Sequence, residues 1–140
     1  MDNCIFCKII KRDIPSYKVY EDEIVYAFLD ITQVTKGHTL IIPKEHVTDI
    51  FEINDTLAGQ VFARVPKIAR AIEKAFPDIQ GLNIVNNNRE LAYQSVFHSH
   101  IHLIPRFSVE DDFDITFGNN MEKYNQTMMN EIAGKISAEV

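Results

Sequence analysis

Three histidines occupy every second position in His98-Ser99-His100-Ile101-His102, and the spacing continues into Leu103 and Ile104. In a β-strand, successive side chains point to opposite faces, so residues two apart share a face. A strand through this segment would line three imidazoles along one side, about 6.5–7 Å apart, with Ile101 and Leu103 packed on the other. Imidazole titrates near neutrality, binds metals and can act as a nucleophile. A row of three therefore points to chemistry, since each buried ring needs a partner of its own. Two readings of the row stay open at this point. One is a metal site built from alternate strand positions. The other is one attacking imidazole with neighbours that orient it and handle protons.

The rest of the chain supplies a setting for that strand. Tyr17–Tyr20 and Ile24–Asp30 read as strands joined by the polar turn Glu21-Asp22-Glu23. His38–Ile42 reads as a third strand ending at Pro43, and Leu82–Asn86 as a fourth. Leu57, Val61, Val65, Ile68, Ile72 and Phe76 recur at spacings of three and four. That pattern predicts one long amphipathic helix from Asn54 to Phe76, kinked at Pro66. A short helix is expected over Cys4–Arg12. A second stripe, Met121, Tyr124, Met128, Ile132 and Ile136, predicts a C-terminal helical extension over 118–138. Strands packed with one long helix, without regular βαβ alternation, imply an α+β fold with a mainly antiparallel sheet. At 140 residues the chain suits a single domain, 1–140.

Composition narrows the partners. Twenty acidic residues against fourteen basic ones disfavour general nucleic-acid backbone binding. No apolar run is long enough to span a membrane, and no basic leader precedes an apolar segment, so a cytoplasmic location is expected. In a reducing compartment, Cys4 and Cys7, spaced as Cys-x-x-Cys, form half of a tetrahedral metal site or a redox pair. With no other cysteine in the chain, a closed metal site has to recruit histidines or carboxylates; His46 and one of the row are candidates.

Gln94-Ser95-Val96-Phe97-His98-Ser99-His100-Ile101-His102-Leu103-Ile104 resembles the signature of the histidine-triad (HIT) superfamily. Leu29-Asp30-Ile31, the segment Gly37–His46 and Cys4–Ile10 resemble its bacterial Hint-like branch, so the resemblance covers about 4–107. It implies a HIT-like fold and a nucleotide-binding hydrolase or transferase acting on an α-phosphate, with His100 as the nucleophile. His102, Gln94 and Ser95 would serve the phosphate and leaving group. Asp30 and Asn87 would reach the ribose–phosphate side, and Ile5, Phe6, Ile9, Ile14, Phe28 and Ile31 would sandwich the base. Cys4, Cys7, His46 and His98 would hold a structural Zn2+, with His38 hydrogen-bonded inside the histidine cluster. The substrate class implied is a purine nucleoside phosphoramidate. The alternatives are a dinucleoside polyphosphate, a zinc-dependent hydrolase in which the row itself holds a catalytic ion, and a non-catalytic nucleotide-binding module. The family also implies a homodimer, for which a second apolar face at Phe62 and Ala69 suggests pairing of the long helix with its twin. Two positions depart from the family pattern: Arg89 and Tyr93 stand where relatives commonly have glycine.

Overall fold

The computed structural model describes residues 3–140. Its centre is a five-stranded sheet in the order β1-β2-β3-β5-β4, antiparallel at every pairing. The strands are β1 (Lys18–Glu21), β2 (Val25–Leu29), β3 (Thr39–Pro43), β4 (Gly81–Val85) and β5 (Ile101–Arg106). The hairpin between β1 and β2 closes on Asp22, whose Oδ1 accepts from the Ile24 and Val25 amides at 2.8 and 2.9 Å. Every residue of β3 is buried, as expected of a strand covered on both faces.

Alternation along the strands sorts the two faces. Val25, Ala27, Ile41, Ile101 and Leu103 pack with Leu57, Val61, Val65, Ile68 and Ile72 of the helices. Tyr26, Phe28, Leu40 and Ile42 face the other way and meet Phe6 and Ile9 of α1 (Ile5–Ile10). Burying a side chain of this size stabilises the fold by about 1.5–3 kcal/mol. Register then places Phe28 opposite Leu40 and Leu40 opposite His102, so His102 lies on the α1 face of the sheet.

The single long helix expected over Asn54–Phe76 is two helices, α2 (Asp55–Ala63) and α3 (Val65–Ala75), broken at Arg64. Pro66 causes the break. It sits in the first turn of α3, where its missing N–H has no intrahelical partner to lose. The apolar stripe runs on across the break, and Asn54 caps α2 by accepting from the Leu57 amide at 2.8 Å.

The histidine row also differs from expectation. Strand β5 starts only at Ile101, so His98, in a bend, and His100 lie in the irregular segment that leads into it. There the Ser99 amide donates to the Val47 carbonyl at 2.7 Å, which docks the lead-in on the loop after β3. Past β5 the chain runs through a 3-10 turn at Met121–Lys123 into α4 (Gln126–Ser137), capped by Asn125. None of the residues of α4 is buried. No helix among the described residues is long and apolar enough to cross a membrane.

Candidate active site and metal centre

A cavity of about 290 Å³ opens between α1 and the sheet. Ile5, Phe6 and Ile9 of α1 form one wall, and Phe28 and Leu40 of the sheet the other; Ile14 and Ile31 complete the apolar lining. Asp30, Ser95, His100 and His102 bring polar groups to it. Ile31 is at the rim, 86% exposed.

The hydrogen bonds fix the protonation of the two cavity histidines. His100 is buried, and its Nδ1 lies 2.8 Å from the carbonyl of His98. A carbonyl only accepts, so Nδ1 carries the proton and Nε2 keeps its lone pair. His38 Nδ1 accepts from the Val34 amide at 3.4 Å, which puts the His38 proton on Nε2. That N–H points at His102 Nδ1, 2.9 Å away. Neutral His102 then carries its proton on Nε2. Burial keeps these rings neutral: it pushes His102 down to about 4, with neighbouring His100 and His38 adding to the effect. It also lowers His100, against the pull of the His98 carbonyl and Asp30, and lowers His38, against Asp30. Phe6 packs edge-on against His100 and His98, with ring centroids 5.1 and 5.9 Å away.

Asp30 is half tied down. Its Oδ1 accepts from the Thr32 amide and hydroxyl at 2.8 and 2.6 Å, while Oδ2 stands 3.8 Å from His38 Nε2. Burial alone would raise this carboxyl, but the two Thr32 bonds and the facing histidines hold it below its ordinary value.

Not every expected residue reaches the cavity. Gln94 is buried, but its amide N–H groups donate to the Thr48 and Val96 carbonyls and its oxygen accepts from the Arg89 amide. Its side chain shapes the 89–96 loop and is not part of the cavity wall. Asn87 does not line the cavity either. Its neighbour Asn86, which the sequence did not single out, donates from Nδ2 to the His100 carbonyl at 2.9 Å. Asn88 braces it, donating to Asn86 Oδ1 at 2.7 Å and accepting from the Ile50 amide. Arg89 and Tyr93 both adopt positive φ, 74° and 69°. The loop thus keeps the backbone that glycine would favour, without glycine. The Arg89 guanidinium turns to the Phe51 ring, 4.2 Å from its centroid, and to Asp49.

Behind Phe6, Cys4, Cys7, His46 and His98 converge, with their ligand atoms all within 4.8 Å of one another. Tetrahedral zinc, with about 2.3 Å to sulfur and 2.0–2.1 Å to nitrogen, places S and N about 3.6 Å apart. Here Cys4 Sγ–His98 Nδ1 is 3.4 Å, Cys7 Sγ–His46 Nδ1 is 3.3 Å and Cys7 Sγ–His98 Nδ1 is 3.6 Å. His98 Nε2–H donates to the Pro43 carbonyl at 2.8 Å, which leaves Nδ1 aimed at the sulfurs. The donor set and its spacing fit a closed tetrahedral metal site. Asp30, His38 and His102 form a second grouping of ligand type, and His100 belongs to neither.

The HIT domain family model matches residues 11–109. The chain belongs to the HIT family. Protein hit of Bacillus subtilis (strain 168) is 55% identical over 136 residues, covering 97% of this chain and 93% of that protein. The adenosine 5'-monophosphoramidase hnt1 of Schizosaccharomyces pombe is 41% identical over 104 residues, 74% of each chain. Among solved structures, a HIT family protein from Bacillus anthracis superposes with a TM-score of 0.95 at 51% identity, over 99% of this chain and 98% of that one. SMU.412c from Streptococcus mutans gives 0.93 at 55%, over 99% and 86%. A Zn-bound histidine triad family protein from Mycobacterium smegmatis gives 0.75 at 30%, over 99% of each chain. The HIT fold follows from these matches together with the antiparallel sheet and its helices.

Proposed function

We propose that this HIT protein hydrolyses a nucleoside phosphoramidate at its α-phosphorus through His100. The observation that carries the reading is the bond from His100 Nδ1–H to the His98 carbonyl, which presents an unprotonated Nε2 to a cavity walled by aliphatic and aromatic side chains. A purine base fills the slot between Ile5, Phe6, Ile9 and Ile14 on one side and Phe28 and Ile31 on the other. Asp30 Oδ2 accepts from the ribose hydroxyls. His100 Nε2 attacks phosphorus, the P–N bond to the leaving amine breaks, and the amine takes up a proton. Water then cleaves the nucleotidyl-histidine, releasing a nucleoside monophosphate and regenerating the imidazole. His102 Nε2–H and the Ser95 hydroxyl stand ready as donors to the phosphoryl oxygens, where charge develops.

Zinc held by Cys4, Cys7, His46 and His98 would supply no step of this reaction. A closed four-ligand site is structural, and here it would pin α1 to the segment that carries the nucleophile. The phosphoramidase name of the yeast relative supports the substrate class. The absence of His100 from both metal-type groupings favours the covalent route over a metal-held water.

The test is turnover of adenosine 5'-monophosphoramidate by the wild type, His100→Asn and His100→Ala, with intact-mass analysis of rapidly quenched samples. A nucleotidyl adduct in the wild type and loss of turnover in both variants are expected. Turnover retained in either variant refutes the assignment. Nucleotide binding with no turnover by the wild type would leave a binding module instead.

A further inference from the structure

Cys-x-x-Cys reads either as half of a metal site or as a redox pair, and one geometry here serves both. Cys4 caps α1 and Cys7 lies in its first turn, where the Cys7 amide donates to Cys4 Sγ at 3.4 Å. The two Sγ atoms are within 4.8 Å of each other. Cys-x-x-Cys pairs are the working dithiols of disulfide oxidoreductases.

Access is uneven across the four candidate ligands. His98 is fully buried, whereas Cys4 and Cys7 are half-buried. Cys4 also borders a separate cleft of about 300 Å³, lined by Asn3, Ile5, Ser95, Val96 and Phe97. Asn3, Ser95 and Phe97 are exposed, so the cleft opens to water. A small oxidant therefore meets the sulfur side of the site first, and peroxide oxidises thiolate sulfur reversibly. Without the two sulfurs, only His46 and His98 remain of the tetrahedral set. Little else holds α1. It is six residues long, too short to be stable alone, and it buries only Phe6 and Ile9.

We propose that Cys4 and Cys7 form a peroxide-sensitive pair: oxidation joins them in a disulfide, expels the ion they would hold and loosens α1 from the segment that carries His100. The Cys4 thiolate attacks one oxygen of a hydroperoxide. The O–O bond breaks, an alcohol or water leaves with one proton, and Cys4 becomes a sulfenic acid. The Cys7 thiolate then attacks the Cys4 sulfur; the S–S bond forms and hydroxide leaves as water with a second proton. Two electrons pass from the sulfurs to the peroxide. The ion, stripped of two of its four ligands, departs. His98 Nε2 keeps its 2.8 Å bond to the Pro43 carbonyl, which involves neither sulfur. The change thus falls on α1 and its Phe6 wall rather than on the sheet. The oxidation stands independently of the reaction assigned to His100; its effect on nucleotide rests on the proposed slot.

The experiment treats zinc-reconstituted full-length protein with stoichiometric hydrogen peroxide. Zinc release is followed with a chromogenic chelator, the cysteines by peptide mass mapping, α1 by hydrogen exchange and the slot by AMP affinity. Release of the zinc is expected, with a Cys4–Cys7 peptide lighter by two hydrogens. Amide exchange should speed up in α1 but not in β3 or β5, and AMP should bind about tenfold more weakly. A thiol reductant plus zinc should restore all four readouts, which separates the pair from oxidation of the exposed Met121 and Met129, since thiols do not reverse that. Zinc retained after peroxide, or lost through sulfinic or sulfonic acids that the reductant does not reverse, overturns the pair. A disulfide with unchanged exchange in α1 overturns the loosening. Failure of the reduced, zinc-loaded protein to bind AMP, with the other three readouts as expected, refutes the nucleotide slot and leaves the redox pair supported.

Discussion

Asn86 offers the sharpest test of how the site is held. Asn86→Ala removes the donor to the His100 carbonyl and the acceptor for the Asn88 amide. His100 is 3% exposed, so little water can replace the lost donor. An unsatisfied buried acceptor costs about 1–3 kcal/mol. Asn86 itself is half-buried, which favours the lower half of that range, about 1–2 kcal/mol. For a chain of this size that corresponds to a melting temperature about 3–8 °C lower. The same bond steadies the peptide that carries the proposed nucleophile, so kcat on a phosphoramidate should fall about tenfold, equivalent to 1.4 kcal/mol, with KM little changed. Asn86→Asp is the diagnostic partner. It keeps the shape but sets an acceptor against the carbonyl, so it should be worse than alanine at neutral pH and recover as the carboxyl protonates. Calorimetry and steady-state kinetics on the three proteins decide the matter. If Asn86→Ala melts within about 1 °C of wild type and keeps its kcat, the bond contributes nothing measurable and the reasoning fails.

Other consequences follow from the same geometry. His102 is driven down to about 4 in the fold but sits near 6.5 when unfolded, so the unfolded chain takes up the proton first. Stability from this group is full above about pH 6.5 and is lost as pH falls from there toward 4; a urea midpoint that stayed constant across that window would contradict it. Chelation at neutral pH should lower the melting temperature of metal-loaded protein, and Cys7→Ser should weaken metal retention. At free metal 100-fold above its dissociation constant, the stabilisation lost is about 2.7 kcal/mol, read by calorimetry with and without chelator. Tyr93 holds φ 69° with its side chain 85% exposed. Tyr93→Gly should therefore change stability by no more than about 1 kcal/mol in either direction, because relief of the left-handed backbone offsets the entropy of glycine. A loss well beyond that would mean that the ring has a packing role.

Much of the fold was legible because burial follows period. Ile101 and Leu103 went to the helix face and His102 to the opposite one, as strand alternation requires. The stripe from Leu57 to Ile72 was legible for the same reason, yet the chain breaks at Arg64, because apolar spacing does not register where a proline ends one helix and begins the next. The start of β5 was hidden as well. His98-Ser99-His100 alternates like a strand, but the Ser99 amide is bonded to Val47 in a loop, a partner no local pattern announces. Asn86 and Gln94 show the same limit. Both act by hydrogen bonds to backbone carbonyls, and a carbonyl leaves no trace in the identity of its residue. The departures at Arg89 and Tyr93 did carry a signal, since glycine, common there in the family, permits the positive φ that both residues adopt.

Phe6 sits between Cys4, which caps α1, and Cys7 within it, and packs edge-on against both His98 and His100, while also walling the cavity. One six-residue helix therefore belongs to the candidate metal site and to the proposed nucleotide slot at once. Thermodynamic linkage makes the dependence mutual: if the metal orders this helix and sharpens the grip on nucleotide, nucleotide must tighten the grip on metal by the same factor. A cell short of zinc would then keep the ion longest in the copies that are at work on substrate.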